Sequence, residues 1–552
     1  MRTVLFALAA ALVASTAASA DTLVSNVNGI QVGADGKLER FRALTITPEG
    51  KIGQVIEHPE LVRLANITDT IDGGGRTLLP GLIDAHGHVM GLGHAAVRLD
   101  LTGANSLAEL QTRLKNYAAA NPDARWIIGR GWNQESWPVK SFPTSADLDA
   151  VVKDRPVVLT RVDGHALVAN GAAIRVAGVT AATPVPAGGQ IENGLFVDNA
   201  MSLIESKIPA PTATESDAAL AKAQQVLLSQ GLTAVADMGT GADGWAAMNR
   251  AGEAGRLTLR IMSYAAALEA LDAIGRTTPT NWMFGDRLRM GGVKLYADGA
   301  LGSRGAWLKR PYADKPDTVG LRFLTDTELR AQAGKAAGMG FQLAIHAIGD
   351  AANAQVIGAF EQLAKTYPGD RRWRIEHVQV IDPADISRMA RAGIIASMQP
   401  THQTSDRLMA EKRLDPPRLE GAYAWATILK SGARLAFGSD FPVESPDPFP
   451  GLAAAISRQD LQGQPPGGWR PEERVSFEQA LSGFTRDAAY AGFAEDRIGS
   501  LEPGKWADFI LVDRDPTKVD AQALARTRVL ETWVAGKKVW ANAASAGAER
   551  GR

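Results

Sequence analysis

Eight histidines and no cysteine in 552 residues leave imidazole, carboxylate and amine as the groups able to hold a metal or move a proton. Two of the histidines stand at i and i+2 in Asp84-Ala85-His86-Gly87-His88, at the end of an apolar run that starts at Leu79. On an extended strand, side chains at i and i+2 point to one side, so both rings reach toward one ion. Similar residues close other short apolar runs: Lys294 in Val293-Lys294-Leu295-Tyr296, His346 in Ala344-Ile345-His346, His377 in Ile375-Glu376-His377, and Asp440 in Phe437-Gly438-Ser439-Asp440. Nitrogen and oxygen donors of this kind suit divalent ions and metal-assisted hydrolysis. A lone histidine in an apolar strand is more often a core residue, and Gly-Ser-Asp alone is a common turn. The joint occurrence at successive strand ends carries the signal.

Residues hundreds of positions apart meet only if the fold brings those ends together. Short apolar runs alternate with alanine-rich helical stretches, the pattern of βα units and a parallel sheet. Eight strands are expected, at 79–85, 234–238, 260–264, 292–296, 342–345, 373–376, 394–398 and 434–437. Eight is the number that closes a (β/α)8 barrel, whose strand ends form one ring at the top. The fold class is therefore read as α/β: a TIM-like barrel over 80–489, with an α/β insertion after its first strand, about 107–215. Residues 21–79 and 490–545 have the texture of short strands between Gly, Asn and Asp. Neither piece is long enough to bury a good core alone, so the two are expected to pair into one composite β-sandwich. The glycine- and proline-rich stretch 441–471 is a candidate rim element.

Composition removes several classes of function. Lys and Arg number 59 against 60 Asp and Glu, a net charge of −1, so no basic surface concentrates nucleic acid. Without cysteine there is no disulfide, thiolate zinc site, Cys nucleophile or lipidated Cys. Residues 1–20 read as a cleavable export signal, with Arg2, an apolar run from Val4 to Ala14, and Ala18-Ser19-Ala20. The working protein is then expected in the periplasm or outside the cell, with no membrane segment after cleavage. A homo-oligomer is compatible with this reading, which leaves oligomeric state open.

The strings LLPGLIDAHGHV (78–89), VKLYADGALGSRGA (293–306), QPTHQTSD (399–406) and GSDFPV (438–443), with His346 and His377 between them, resemble the amidohydrolase superfamily of metal-dependent hydrolases. GWNQESWP (131–138) and RVDGHALVAN (161–170) are similar to its family-3 branch, that of N-substituted formamide deformylase. IGSLEPGKWADFILVD (498–513) matches the closing segment of that family's β-sandwich. The resemblance spans essentially the whole chain after residue 20, and it is more specific for site than for substrate.

It implies two divalent ions, zinc before manganese, iron or cobalt. His86 and His88 would hold the more buried ion with Asp440, and His346 and His377 the second. Lys294, as an ammonium untenable beside two cations, would be carboxylated and bridge them; an unmodified neutral Lys294 is the alternative. A metal-bound hydroxide would attack a polarised carbonyl, with Asp440 as general base and then general acid. His165 and His402 fall where the family's pocket lies, Trp132 and Trp137 are candidates for an apolar wall, and Arg304 for binding a substrate carboxylate. The function implied is hydrolysis of a non-peptide C–N bond in a small N-acyl or N-formyl compound. Alternatives are ester, lactone or carbamate hydrolysis at the same site, and a non-catalytic exported ligand-binding protein. Ring deamination fits less well, because His346 is followed by Ala347-Ile348-Gly349-Asp350 without the early Glu typical of superfamily deaminases.

Overall fold

A computed structural model of the chain describes residues 21–543 except Arg63, Ala65, Asp163 and Ala187. The expected export signal, 1–20, and positions 544–545 lie outside the described residues. Among those described, no helix is long and apolar enough to cross a membrane. The chain divides into two compact units, one of residues 21–87, 227–239 and 258–543, the other of 88–226 and 240–257.

The first unit carries an eight-stranded parallel sheet, in chain order β1 (Leu82–Gly87), β2 (Leu232–Thr240), β3 (Arg260–Ala265), β4 (Leu288–Tyr296), β5 (Gln342–Ala347), β6 (Arg374–His377), β7 (Ile395–Met398) and β8 (Leu435–Phe437). Each strand is hydrogen-bonded to the next. Past the end of β8, the Asp440 amide donates to the His86 carbonyl at 2.7 Å, which draws the last strand back toward the first. The result is a TIM-like barrel with helices such as Asp326–Gly338 and Asp350–Thr366 between strands. Ile83, Ala85, Ala234, Met262, Tyr264, Ala344, Ile395 and Ala436 of its strands form one buried cluster with Ala488, Ala489 and Ile498.

All eight expected strands form, and one is divided. The run 79–85 breaks at Pro80-Gly81. Thr77–Pro80 pairs antiparallel with Phe509–Val512, whereas β1 joins the barrel. Proline supplies no ladder N–H, and a Cβ on Gly81 would meet Thr233 Oγ1 at 2.2 Å, so the chain crosses here on the one residue that fits.

Thr77–Pro80 is part of a six-stranded sheet in the order Lys537–Ala541, Val529–Val534, Phe509–Val512, Thr77–Pro80, Asn28–Val32, Leu38–Phe41. A four-stranded sheet runs Ile52–Ile56, Ala43–Ile46, Asp21–Ser25, Ile67–Asp72. Val24, Leu44 and Ile52 of the smaller sheet and Leu78, Phe509 and Trp533 of the larger share one apolar cluster. Strands from both ends of the chain are thus needed for either sheet face to be covered.

The second unit has its own six-stranded sheet, in the order Gly189–Glu192, Leu195–Asp198, Ala166–Ala169, Val157–Arg161, Ile127–Trp132, Leu99–Asp100. Leu110, Leu114, Trp132, Trp137, Leu148 and Leu159 are among the residues of its core.

Candidate metal centre

β1, β4, β5, β6 and the turn after β8 deliver the donors. His86 is fully buried, and its Nδ1 lies 2.6 Å from Glu376 Oε2. A carboxylate accepts, so Nδ1 carries the ring proton and Nε2 is left as a donor atom for a cation. Nε2 stands 3.4 Å from both Lys294 Nζ and Asp440 Oδ1. Glu376 is itself gripped by Arg374, whose Nε lies 2.5 Å from Oε1. Arg374 also donates to the Ala85 carbonyl and to Ser397 Oγ, both at 2.5 Å. Burial pushes the Glu376 carboxyl up, but Arg374 and His86 hold it well below the usual carboxylate range.

His377 repeats the arrangement. Its Nδ1 donates to Gln399 Oε1 at 2.8 Å, and the Gln399 amide nitrogen reaches the Ser397 carbonyl at 3.4 Å, which sets the amide the right way round. The His377 ring centroid lies 4.8 Å from that of His86 and 4.5 Å from that of His346. His346 Nε2 faces Asp298 Oδ1 at 3.4 Å and, among the described residues, makes no hydrogen bond. Asp298 in turn accepts from the amides of Trp307, Ile348 and Gly349.

The division between the two units falls inside the tripeptide His86-Gly87-His88, with His88 the first residue of the second unit. Within the first unit, His377, His402 and Asp440 offer ligand atoms within 4.8 Å of one another. The backbone is bent to achieve this. His377 and Asp440 hold φ of 79° and 61°, in the left-handed region that non-glycine residues enter at a cost of about 1–3 kcal/mol. Asp84 helps to hold the turn: its carboxylate accepts from the Ser439 amide, Ser439 Oγ and the His86 amide.

Burial sets the protonation of the set. It lowers His86 to about 4 and His346 to about 3, with the Lys294 charge adding to both, and lowers His377 well below the ordinary histidine value, with His346 adding. Neutral imidazole is the ligating form. Burial also brings the Lys294 amine down to about 8. Neutral rings, a softened amine and a carboxylate meeting in one buried place fit a metal site, and the donor set contains nothing that conflicts with it.

A family model for the amidohydrolase family matches residues 69–540. The chain belongs to that family. The YtcJ protein of Bacillus subtilis is 32% identical to this amidohydrolase over 485 residues, covering 86% of this chain and 90% of its own. N-substituted formamide deformylase of Arthrobacter pascens is 27% identical over 495 residues, covering 85% and 89%. A crystal structure of a metal-dependent hydrolase from Pyrococcus horikoshii matches with a TM-score of 0.77 at 28% identity, over 91% of this chain and 99% of that one. The family-3 motifs, the barrel and these relatives agree. This is a metal-dependent hydrolase of the amidohydrolase type, an enzyme of carbon–nitrogen bonds.

The residues expected to line the amidohydrolase's substrate pocket fare differently. His402 is buried, its Nε2 3.9 Å from Asp440 Oδ2. Arg304 is engaged elsewhere: its Nε and Nη2 grip the two oxygens of Asp314 at 3.2 and 2.8 Å, which occupies the fork a substrate carboxylate would need. Trp132 and Trp137 sit in the core of the second unit, and their indole N–H groups donate to the carbonyls of Leu159 and Ala104 at 2.8 Å. Their surroundings are those of packing residues rather than of a pocket wall. His165, also in that unit, is exposed and pairs with Asp198 at 2.8 Å.

Sequence reasoning passed over Glu376, Asp84, Asp298 and Gln399 as supports. One signal was available: Arg374 and Glu376 at i and i+2 in an otherwise apolar strand share a face, and two buried charges on one face must be paired.

Proposed function

We propose that this enzyme hydrolyses the amide C–N bond of a small N-acyl or N-formyl compound at a site holding two divalent ions. His86, His88 and Asp440 would hold one ion, His346 and His377 the other, and Lys294, carboxylated on Nζ, would bridge them. Zinc suits these nitrogen and oxygen donors. Bound ions would supply an activated water and polarise the substrate carbonyl.

The observation that carries the reading is the convergence of neutral buried imidazoles on Lys294 and Asp440. The Lys294 Nζ, 3.4 Å from His86 Nε2, has its pKa lowered by burial to about 8. An amine lowered in this way is uncharged at neutral pH far more often than an ordinary lysine. The uncharged amine is the form that adds carbon dioxide. Asp440, on the strained turn, takes the proton of the attacking water and returns it to the departing amine. An N-formyl or N-acyl amine is favoured over an ester because the formamide deformylase of Arthrobacter pascens is similar over 85% of this chain.

The test is Asp440→Asn assayed on N-formyl and N-acyl amines alongside matched esters. Turnover should fall by about 10²–10⁴-fold with at least one metal retained. Full turnover in the variant would remove Asp440 from the mechanism, and activity confined to esters would replace the amide assignment.

A further inference from the structure

His402 lies in the first turn of the helix Pro400–Arg413, and its Nδ1 is 3.3 Å from Gln379 Nε2. Asp406 decides which amide atom faces the ring. The same Gln379 Nε2 lies 3.2 Å from Asp406 Oδ2, and an amide oxygen there would oppose a carboxylate with no proton between them. The Tyr423 hydroxyl donates to that Oδ2 at 2.8 Å, and the Tyr423 amide donates to the Gln379 carbonyl at 2.8 Å. Gln379 is therefore held at both its side chain and its backbone.

An amide nitrogen only donates, so His402 Nδ1 must accept and the ring proton must sit on Nε2. That atom is buried, makes no hydrogen bond among the described residues, and stands 3.9 Å from Asp440 Oδ2. The ring stacks on His377 with centroids 6.0 Å apart and planes 18° apart. By distance alone His377, His402 and Asp440 could share an ion. A protonated Nε2 cannot be a ligand, and moving the proton to Nδ1 would aim N–H at N–H.

We infer that His402 is a hydrogen-bond donor and not a metal ligand, held in its Nε2–H tautomer by the positioning residue Gln379, and that this donor meets the substrate's acyl oxygen as negative charge builds on it. Asp406 and Tyr423 act through Gln379. The last clause rests on the hydrolase reading above; the tautomer does not. A donor placed where charge develops is commonly worth about 10²–10³ in turnover.

The experiment uses the full zinc-reconstituted chain with 15N-labelled histidine, the His402 signals being assigned by their loss in His402→Ala. Nε2 should appear protonated and Nδ1 unprotonated, and His402→Ala should keep the wild-type metal content. Gln379→Glu sets an acceptor against Nδ1, so the proton should move to Nδ1 and turnover should fall about 100-fold with little change in KM. Gln379→Met, which adds no charge, carries the same test if the Glu variant does not fold: both tautomers should appear, with a smaller loss. His402→Gln, which restores an N–H donor, should recover about tenfold over His402→Ala. An Nδ1-protonated wild type, loss of a metal in His402→Ala, or an unchanged tautomer in both Gln379 variants would overturn the inference. The stated tautomer and metal content in a protein that cleaves no amide would uphold the positioning role and sink the hydrolase reading instead.

Discussion

Glu376 Oε2 stands 2.6 Å from His86 Nδ1 across 290 residues of sequence, and both side chains are sealed from solvent. The contact orients one ring of the proposed metal site, and the same Glu376 carboxylate neutralises Arg374, which is buried on the same strand. Ligand orientation and barrel stability therefore share one carboxylate.

Replacing that carboxylate should cost both. Glu376→Gln keeps the shape but removes the charge, leaving Arg374 without its counter-ion. Metal affinity should fall by about 10–100-fold, and folding stability by about 3–5 kcal/mol. Zinc titration and thermal melts with and without metal measure the two effects. An unchanged affinity would mean that His86 needs no such partner.

Gly438 should tolerate no side chain. A Cβ there would meet Asp84 Oδ1 and the His86 amide nitrogen, both at 2.5 Å, and the second is backbone that cannot swing away. Gly438→Ala should force the end of β8 from β1, costing about 1–3 kcal/mol and lowering metal occupancy. A variant with wild-type melting and metal content would show that the strand ends have slack the packing does not reveal.

Lys294 predicts the pH response of assembly. With its pKa brought down to about 8 by burial, the uncharged amine increases tenfold per pH unit below that value and levels off above it. Metal-free protein given zinc at constant dissolved carbon dioxide should regain activity faster from pH 6 to 8 and no faster beyond. Lys294→Met should not respond to carbon dioxide at all. Reactivation that keeps climbing to pH 10 would return Lys294 to an ordinary amine.

The barrel and its ring of donors were legible in the sequence because each donor closes a separate apolar run, and strand ends in a barrel have one place to meet. Only the break at Pro80-Gly81 was missed, since a hydrophobic run does not show which of two sheets it serves. The supports of the site were largely illegible. Glu376 and His86, or Gln379 and His402, become partners through tertiary packing, and neither spacing nor residue type announces it. The same gap explains Trp132 and Arg304. Their chemistry suits a pocket, but whether an indole N–H or a guanidinium fork is already taken depends on Leu159 or Asp314, which the sequence leaves unspecified.

A metal centre built from these strand ends should cleave a carbon–nitrogen bond. Its most direct test is amine release from N-formyl and N-acyl amines by protein reconstituted with zinc and bicarbonate, with bound metal counted in the same samples. Two metals per chain, turnover that chelation abolishes, and recovery on adding zinc back are expected. A chain that fills with two metals yet releases no amine from any amide offered, or one that turns amides over with no metal bound, would contradict the account.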